Sequence, residues 1–334
     1  MDSKEKNIRT VSIHTKYEKL LSDEIENYFF DKKTGKVKVD MLTKVNCPAC
    51  EHDNSKLFVE KIGFKLQSCS NCNLLFVNPR PTESAQIDFF SQSKAFSVYS
   101  EMVEETKAER SKLIFTPLVD KILSEFGADG GNLLEVGCGS GLLFEALELH
   151  NNDWQFKGVE LNERAVEICR SKGFDVFHGS LEELKDDFKY DLVVFWAVFD
   201  HFFDPFSIIK KSFNLLKPGG SIVIGNINID GFESVITGVD NIAFALPERM
   251  NFFGIKSMTV MLERADFINI SVKTSGKLDV DIVKNYWESG NSNGRNQFLE
   301  KIVFGSDNLK SSFQSFLMEN NLSGHMTVTA KKPI

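Results

Sequence analysis

The sequence predicts a doubly wound α/β sheet behind a small cysteine-rich module, and three observations carry that prediction. Short apolar runs (LLEV, KGVEL, DLVVFW, SIVIG) alternate with helix-like stretches such as NERAVEICRSKG and DPFSIIKKSFNLLKPGG. A glycine-rich loop, with Gly137, Gly139 and Gly141, follows the first run. Two C-x-x-C pairs stand ahead of both. Strands that alternate with helices at this pitch imply a mostly parallel sheet covered on both faces.

The chain has 334 residues, 42% of them hydrophobic and 26% charged, enough for a packed core and for more than one domain. Its 30 phenylalanines are expected to fill that core. The net charge is −8 with the acidic residues dispersed, which disfavours a surface built to wrap nucleic acid. No apolar run approaches the roughly 20 residues that cross a bilayer, and the charged first thirty residues lack a leader core. These features predict a cytoplasmic protein with no membrane partner. The six cysteines would there stay reduced, so paired spacing argues for a metal rather than for disulfides. Nothing in the composition indicates an oligomeric state.

Residues 1–40 read as a polar N-terminal segment with a helix around Tyr17–Phe30 and a loose start. Residues 41–82 form the cysteine module, closed by NPRP, whose prolines suit neither a helix interior nor a central strand. Residues 83–128 read as a helical linker, from the three- and four-residue apolar spacing in FTPLVDKILSEF. Residues 129–334 hold the α/β domain. Its late strands FINISVKT and HMTVTAKK flank a helical insertion at about 278–320.

Cys47 and Cys50 form one knuckle and Cys69 and Cys72 the other, with eighteen residues between the pairs. That spacing lies within the range of structural zinc ribbons. A two-residue gap lets both thiolates of a knuckle reach one ion, and two knuckles complete a tetrahedron with no open position. The expected metal is structural zinc. Cys138 and Cys169 stand apart from this set.

The loop in LLEVGCGSGLLFEAL joins a strand to a helix, and its glycines permit positive φ and close approach of a ligand to the main chain. Leu142 stands where a dinucleotide fingerprint has its third glycine, which disfavours a nicotinamide dehydrogenase. Glu160, nineteen residues past Gly141, ends the second apolar run, where a carboxylate accepts ribose hydroxyls. Ser180, Leu181 and Glu182 follow the third strand, where an adenine could lie, and Trp196 and Ala197 end the fourth.

In this order the pieces resemble the class I S-adenosylmethionine-dependent methyltransferase core, a Rossmann-like seven-stranded sheet. EVGCGSG (with Glu135 and Cys138) is similar to its first motif, VELN (with Glu160 and Leu161) to its acidic second, and GSLEEL to its third. LKPGG resembles the turn before its fifth strand. CPAC…CSNCNLLFVNPRPT, NIDGF and PERMNFFGIKSM resemble segments of a bacterial subgroup that carries an N-terminal zinc ribbon, so the likeness spans about residues 45–275. It implies S-adenosylmethionine as cofactor, with its methionyl part on Gly137–Gly141 and its ribose on Glu160.

An acceptor hydroxyl needs a base, and His201 in FDHFFDP is the candidate, beside Asp200. A histidine packed beneath the site is an equal reading. Asp204 precedes Pro205 and suits a helix cap. Arg249 stands where the subgroup commonly has histidine, and a guanidinium there suits an anionic acceptor. Asn228, Asp230 and Asn251 complete the candidate acceptor pocket. Tyr286 and Trp287 in the insertion read as packing, with a lid as the alternative. The expected acceptor is a small molecule, such as a sugar or nucleotide sugar, methylated on oxygen. The competing readings are an RNA methyltransferase holding its substrate on Lys56, Lys61 and Lys65 of the ribbon, and a non-catalytic cofactor-binding scaffold.

Overall fold

The computed structural model describes residues 11–127, 130–150, 153–185, 187–241 and 243–334. The loose start expected at the N-terminus concerns residues 1–10, outside that set. Helix α1 (Val11–Phe29) leads to the ribbon strands β1 (Ser55–Lys61), β2 (Phe64–Cys69) and β3 (Leu75–Val77). Helices α2 (Glu83–Gln92), α3 (Lys94–Glu105) and α4 (Thr116–Phe126) follow. The alternating part comprises β4 (Gly131–Val136), α5 (Leu142–Glu148), β5 (Trp154–Glu160), α6 (Glu163–Ser171), β6 (Val176–His178), β7 (Tyr190–Trp196), α7 (Pro205–Leu215) and β8 (Leu216–Ile227). Next come α8 (Phe232–Thr237), β9 (Asn251–Phe252), α9 (Ile255–Arg264) and β10 (Ile268–Thr274). The chain closes with α10 (Asp279–Glu288), α11 (Gln297–Val303), α12 (Asp307–Glu319) and β11 (His325–Lys331).

The main sheet has seven strands in the order β10–β11–β8–β7–β4–β5–β6. β4 pairs in parallel with both β5 and β7, and β5 with β6. The chain thus leaves β4 toward one side and returns on its other side. This reversal of strand order opens a crevice at the carboxyl end of β4, where open α/β sheets bind ligands. β11 runs antiparallel to both of its neighbours, β8 and β10, so a late antiparallel strand is present as the sequence suggested.

Two compact units interleave along the chain. The first comprises residues 1–43, 81–196 and 214–220, the second residues 44–80, 197–213 and 221–334. In the first, the segment expected as a linker is part of the fold. Glu24 of α1 accepts from Ser93 Oγ (2.5 Å), Lys94 N (2.9 Å) and Ala95 N (3.2 Å), so a carboxylate sits on the N-terminus of α3, where backbone donors lack helical partners. Phe89 of α2 packs its ring against Tyr28 and Phe29 of α1, at 5.5 and 5.2 Å. These contacts account for part of the phenylalanine content.

In the second unit the insertion builds a small core of its own. Ile236, Val280, Val283, Trp287, Val303 and Leu317 are buried together. Trp287 also donates from Nε1 to the Asn293 carbonyl (3.0 Å), so its one polar atom is satisfied. Tyr286 donates to Asp240 Oδ2 (2.8 Å). Trp287 is therefore a packing residue of the insertion. Trp287→Ala should cost about 3–5 kcal/mol of unfolding free energy. A urea melt of the variant whose midpoint matches the parent would contradict that placement.

Candidate functional site

Val136 ends β4, and Gly137, Gly139 and Gly141 then all take positive φ (73°, 53° and 82°). Only glycine adopts such a run cheaply. Gly137 N and Cys138 N donate to the Val159 carbonyl (2.8 and 3.2 Å), holding the loop beside β5. A Cβ on Gly141 would lie 2.7 Å from Cys169 Sγ, and one on Gly158 would lie 2.5 Å from Cys138 Sγ. Cys138 thus turns its side chain inward and leaves only its backbone to the loop surface. At Gly139 the situation is reversed, because a Cβ there would meet nothing within 4 Å. The tip of the loop faces open space.

Glu160, at the end of β5, closes the loop. Its Oε2 accepts from Gly139 N (3.0 Å) and its Oε1 from Leu161 N and Asn162 N (2.8 Å each). A carboxylate has about four lone-pair positions, so room remains for a ligand donor. Glu135 is buried in β4, and its Oε2 has no partner. Burial, with Cys169 and Glu160 nearby, pushes its carboxyl well above the ordinary range. Ser140 is also buried, with its Oγ unpartnered. Ser180 Oγ accepts from Glu183 N (3.3 Å) and Glu183 Oε2 from Ser180 N (2.8 Å), which makes a self-contained turn beside buried Leu181. Trp196 is half-buried at the last position of β7.

In the second unit the four ribbon cysteines bring their sulfurs within 4.8 Å of one another, with Cys47–Cys72 and Cys50–Cys69 at 3.5 Å. Zn–S bonds of about 2.3 Å in a tetrahedron put sulfurs about 3.8 Å apart, so the set fits zinc and leaves no open position. The two knuckles share one geometry. Glu51 N donates to Cys47 O (2.8 Å) and Asn73 N to Cys69 O (3.1 Å), and both Glu51 and Asn73 take positive φ (62° and 65°).

The ribbon sheet gains a fourth strand from far along the chain. β9 pairs antiparallel with β3, matching Asn251 to Phe76 and Phe252 to Leu75. The segment just before β9 carries Glu248 and Arg249. Arg249 Nη1 donates to Asp200 Oδ2 (2.7 Å), and Met250 N donates to the Asp200 carbonyl (3.0 Å). His201 Nδ1 lies 3.0 Å from the Glu248 carbonyl, its natural acceptor, and Nε2 lies 3.5 Å from Asp200 Oδ1. Asp200 is almost wholly buried, and its Oδ1 makes no hydrogen bond. Asp204 Oδ1 accepts from Phe206 N and Ser207 N (3.1 and 3.0 Å), capping α7.

Several sequence-level assignments take a different form in the structure. Asn251 is fully buried and its amide is committed, accepting from Arg80 Nη2 (3.0 Å) and donating to the Phe202 carbonyl (2.7 Å). Asn228 is equally buried, donating to the Ser323 carbonyl (3.0 Å) and accepting from Asp230 N (3.2 Å). Both tie loops together and offer nothing to an acceptor. Arg249 is engaged with Asp200, so its charge is already countered there. Lys61, counted toward a basic ribbon patch, turns inward to the Val239 and Phe244 carbonyls (2.8 and 3.0 Å). Three residues were not singled out from sequence. Ser140 sits inside the glycine motif, hidden by its glycines. Asn226 is buried near the end of β8 with both amide atoms unpartnered. A polar residue in the apolar run SIVIGN was its available signal. Arg80, fully buried after β3, had none.

Residues 108–272 match a family model described as a methyltransferase domain. That stretch includes the glycine loop, Glu160, His201 and Arg249, and leaves the ribbon outside. The ubiquinone biosynthesis O-methyltransferase of Marinobacter nauticus is 30% identical over 131 residues, 36% of this chain and 54% of that protein. The protein of the same name from Xanthomonas campestris is 29% identical over 140 residues, 39% of this chain and 58% of that one. The chain thus spans a little over half the length of these curated relatives. Phosphoethanolamine N-methyltransferase 2 of Haemonchus contortus, solved with S-adenosyl-L-methionine, superposes with a TM-score of 0.52 at 17% identity, covering 78% of this chain and 63% of that chain. The similarity is one of fold. Among the described residues, no helix is long and apolar enough to cross a membrane.

Purified protein should hold about one zinc per chain, and Cys72→Ser should lose most of it, because a tetrahedral site tolerates no missing thiolate. Metal analysis of both proteins checks this. Full zinc retention in the variant would exclude the four-cysteine site.

Proposed function

We propose that the protein is an S-adenosylmethionine-dependent methyltransferase acting on a hydroxyl of a small-molecule acceptor. One observation carries the reading. The open space over Gly139 lies on a loop that carries the buried, unpartnered Ser140 hydroxyl and follows the strand holding the buried, unpartnered Glu135 Oε2. These groups suit the cofactor's methionyl part, whose ammonium can pair with Glu135. The backbone of Gly137–Gly141 would hold that part, and Glu160 the ribose through its remaining lone pair. Leu181 and Trp196 would flank the adenosine. When bound, S-adenosylmethionine supplies a methyl group activated as a sulfonium.

On the acceptor side, His201 takes the hydroxyl proton at Nε2. Donation from Nδ1 to the Glu248 carbonyl selects the tautomer in which Nε2 is the basic atom. The proton then sits beside Asp200 Oδ1, whose partner oxygen is anchored by Arg249. Asp200 thus stabilises the protonated imidazole from the Nε2 side, while the Glu248 carbonyl orients the ring at Nδ1. Asn226, buried and unpartnered at the end of β8, is the group best suited to hold an acceptor's polar edge. The O-methyltransferase name of the sequence relatives supports oxygen as the methylated atom. The net charge of −8 and the inward turn of Lys61 argue against RNA on the ribbon.

The direct test supplies methyl-labelled S-adenosylmethionine with cell extract fractionated into small metabolites (sugars and nucleotide sugars included), polysaccharide, RNA and protein. Label should enter the metabolite fraction and vanish with Gly139→Arg, which fills the space over the loop. Label in RNA would replace this reading with the ribbon-bound RNA one.

Cofactor binding should also release a proton. In the free protein, burial keeps Glu135 protonated to higher pH than an ordinary carboxyl, whereas an incoming ammonium favours the carboxylate. Affinity should therefore rise with pH through the raised range of Glu135 and level off above it. Calorimetry in buffers of different ionisation heat reads the released proton. Glu135→Gln should abolish the release and weaken binding by about tenfold or more, the value of a charge-assisted hydrogen bond. PH-independent affinity in the parent protein would remove Glu135 from the ammonium site.

A further inference from the structure

We infer that Arg80 is a positioning residue that couples the zinc ribbon to the His201 cluster. The inference rests on the reading of that cluster as the acceptor side. Arg80 follows β3 and is 0% exposed. Its Nε donates to the Val77 carbonyl (3.1 Å), its Nη2 to Asn251 Oδ1 (3.0 Å) and its Nη1 to the Phe203 carbonyl (2.6 Å). The rings of Phe76 and Phe203 lie 5.9 Å from the guanidinium. One rigid planar group therefore joins the end of the ribbon sheet, β9 and the turn that follows His201. Arginine alone can do this, because its donors fan out in a fixed plane.

The link is reinforced on both sides. Asn251 passes it to the Phe202 carbonyl through Nδ2 (2.7 Å). Val77 N donates to the Met250 carbonyl (2.9 Å), and Met250 N to the Asp200 carbonyl (3.0 Å). Residues 200–203 thus hang from a sheet whose far strands are pinned by the four cysteines.

Charge adds a second tie to the metal. The hydrogen-bond acceptors of Arg80 are all neutral, a costly setting for a buried cation. Burial pushes its guanidinium down to about 9, against Asp204 and Cys47, which favour the charged form. Four thiolates around one zinc ion keep a net negative charge, so a filled ribbon supplies counter-charge that protonated thiols would not.

The test uses the zinc-loaded full-length protein and removes the metal with a chelator. Amide exchange at residues 199–204 and 249–253 should rise by about tenfold or more, while residues 133–141 and 158–163 keep their protection and cofactor affinity changes by no more than about twofold. Returning zinc should reverse the change. Arg80→Met should loosen the same two segments with its zinc retained, and Arg80→Lys should recover only part of the protection. In both zinc-free protein and Arg80→Met, the imidazole nitrogen resonances of His201 should shift, which a merely local loss of ribbon structure would not produce. Unchanged exchange and unchanged His201 resonances on zinc removal would overturn the inference, as would loosening spread evenly over all four segments. If Arg80→Met does not fold, zinc-stripped native protein and Asn251→Ala decide the matter. Failure of the untreated protein to bind cofactor would instead sink the methyltransferase reading, and the exchange and resonance comparisons would still decide the coupling.

Discussion

The glycine loop of this protein depends on one carboxylate, that of Glu160. A loop of three positive-φ glycines cannot use its backbone N–H groups in a helix or a strand, yet the fold holds it against β5. Glu160 resolves this by accepting from Gly139 on one oxygen and from Leu161 and Asn162 on the other. The same side chain therefore fixes the loop after β4, where the topology opens a crevice, and the start of α6. Asn162 continues the pattern by capping α6 at Ala165 N (3.1 Å). The loop is shaped before any ligand arrives, and the entropy of forming it is met during folding.

The ribbon solves a different problem. Three short strands bury too little apolar surface to be stable alone, and small modules of this kind rely on a metal or a partner. This one uses both. Its cysteines are set for a closed zinc site, and its sheet is completed by β9 from a segment beyond the glycine loop. Arg264 adds a third tie, donating to the Ala49 carbonyl (3.1 Å) within the first knuckle. Read as a separate domain by sequence spacing, the ribbon is structurally part of the unit that holds His201 and Arg249.

What was legible in the sequence follows from which interactions are local. The glycine loop and each cysteine knuckle are written in a few consecutive residues, and the strand and helix alternation in a series of short runs, where periodicity and spacing report directly on geometry. Glu160 and Asp204 were legible for the same reason, since each sits at an element's end. Asn228 and Asn251 take buried hydrogen bonds that the sequence could not show, because a polar residue near a predicted crevice looks the same whether it faces a ligand or a buried carbonyl. Only the partners decide, and those partners, Ser323 and Arg80, lie 95 and 171 residues away. Arg80 illustrates the limit most clearly, because a buried arginine after a ribbon carries no pattern until the chain has folded around it.

Among the described residues, the buried side-chain atoms without a hydrogen-bond partner are Glu135 Oε2, Ser140 Oγ, Asp200 Oδ1 and both amide atoms of Asn226. Folded proteins avoid such atoms, since each one costs about 1–3 kcal/mol of uncompensated desolvation. Random packing faults would scatter them. Here they gather along the chain at equivalent points. Glu135 is the last residue but one of β4, and Ser140 lies in the loop that follows it. Asp200 comes four residues after β7, and Asn226 is the last residue but one of β8. Each thus lies at or just past the carboxyl end of a strand, the end at which open α/β sheets bind their ligands. The cost of leaving these groups unpaired is consistent with partners that arrive from outside the chain. On this view, the instability is stored where binding can release it, so part of any ligand's affinity is already written into the unliganded fold.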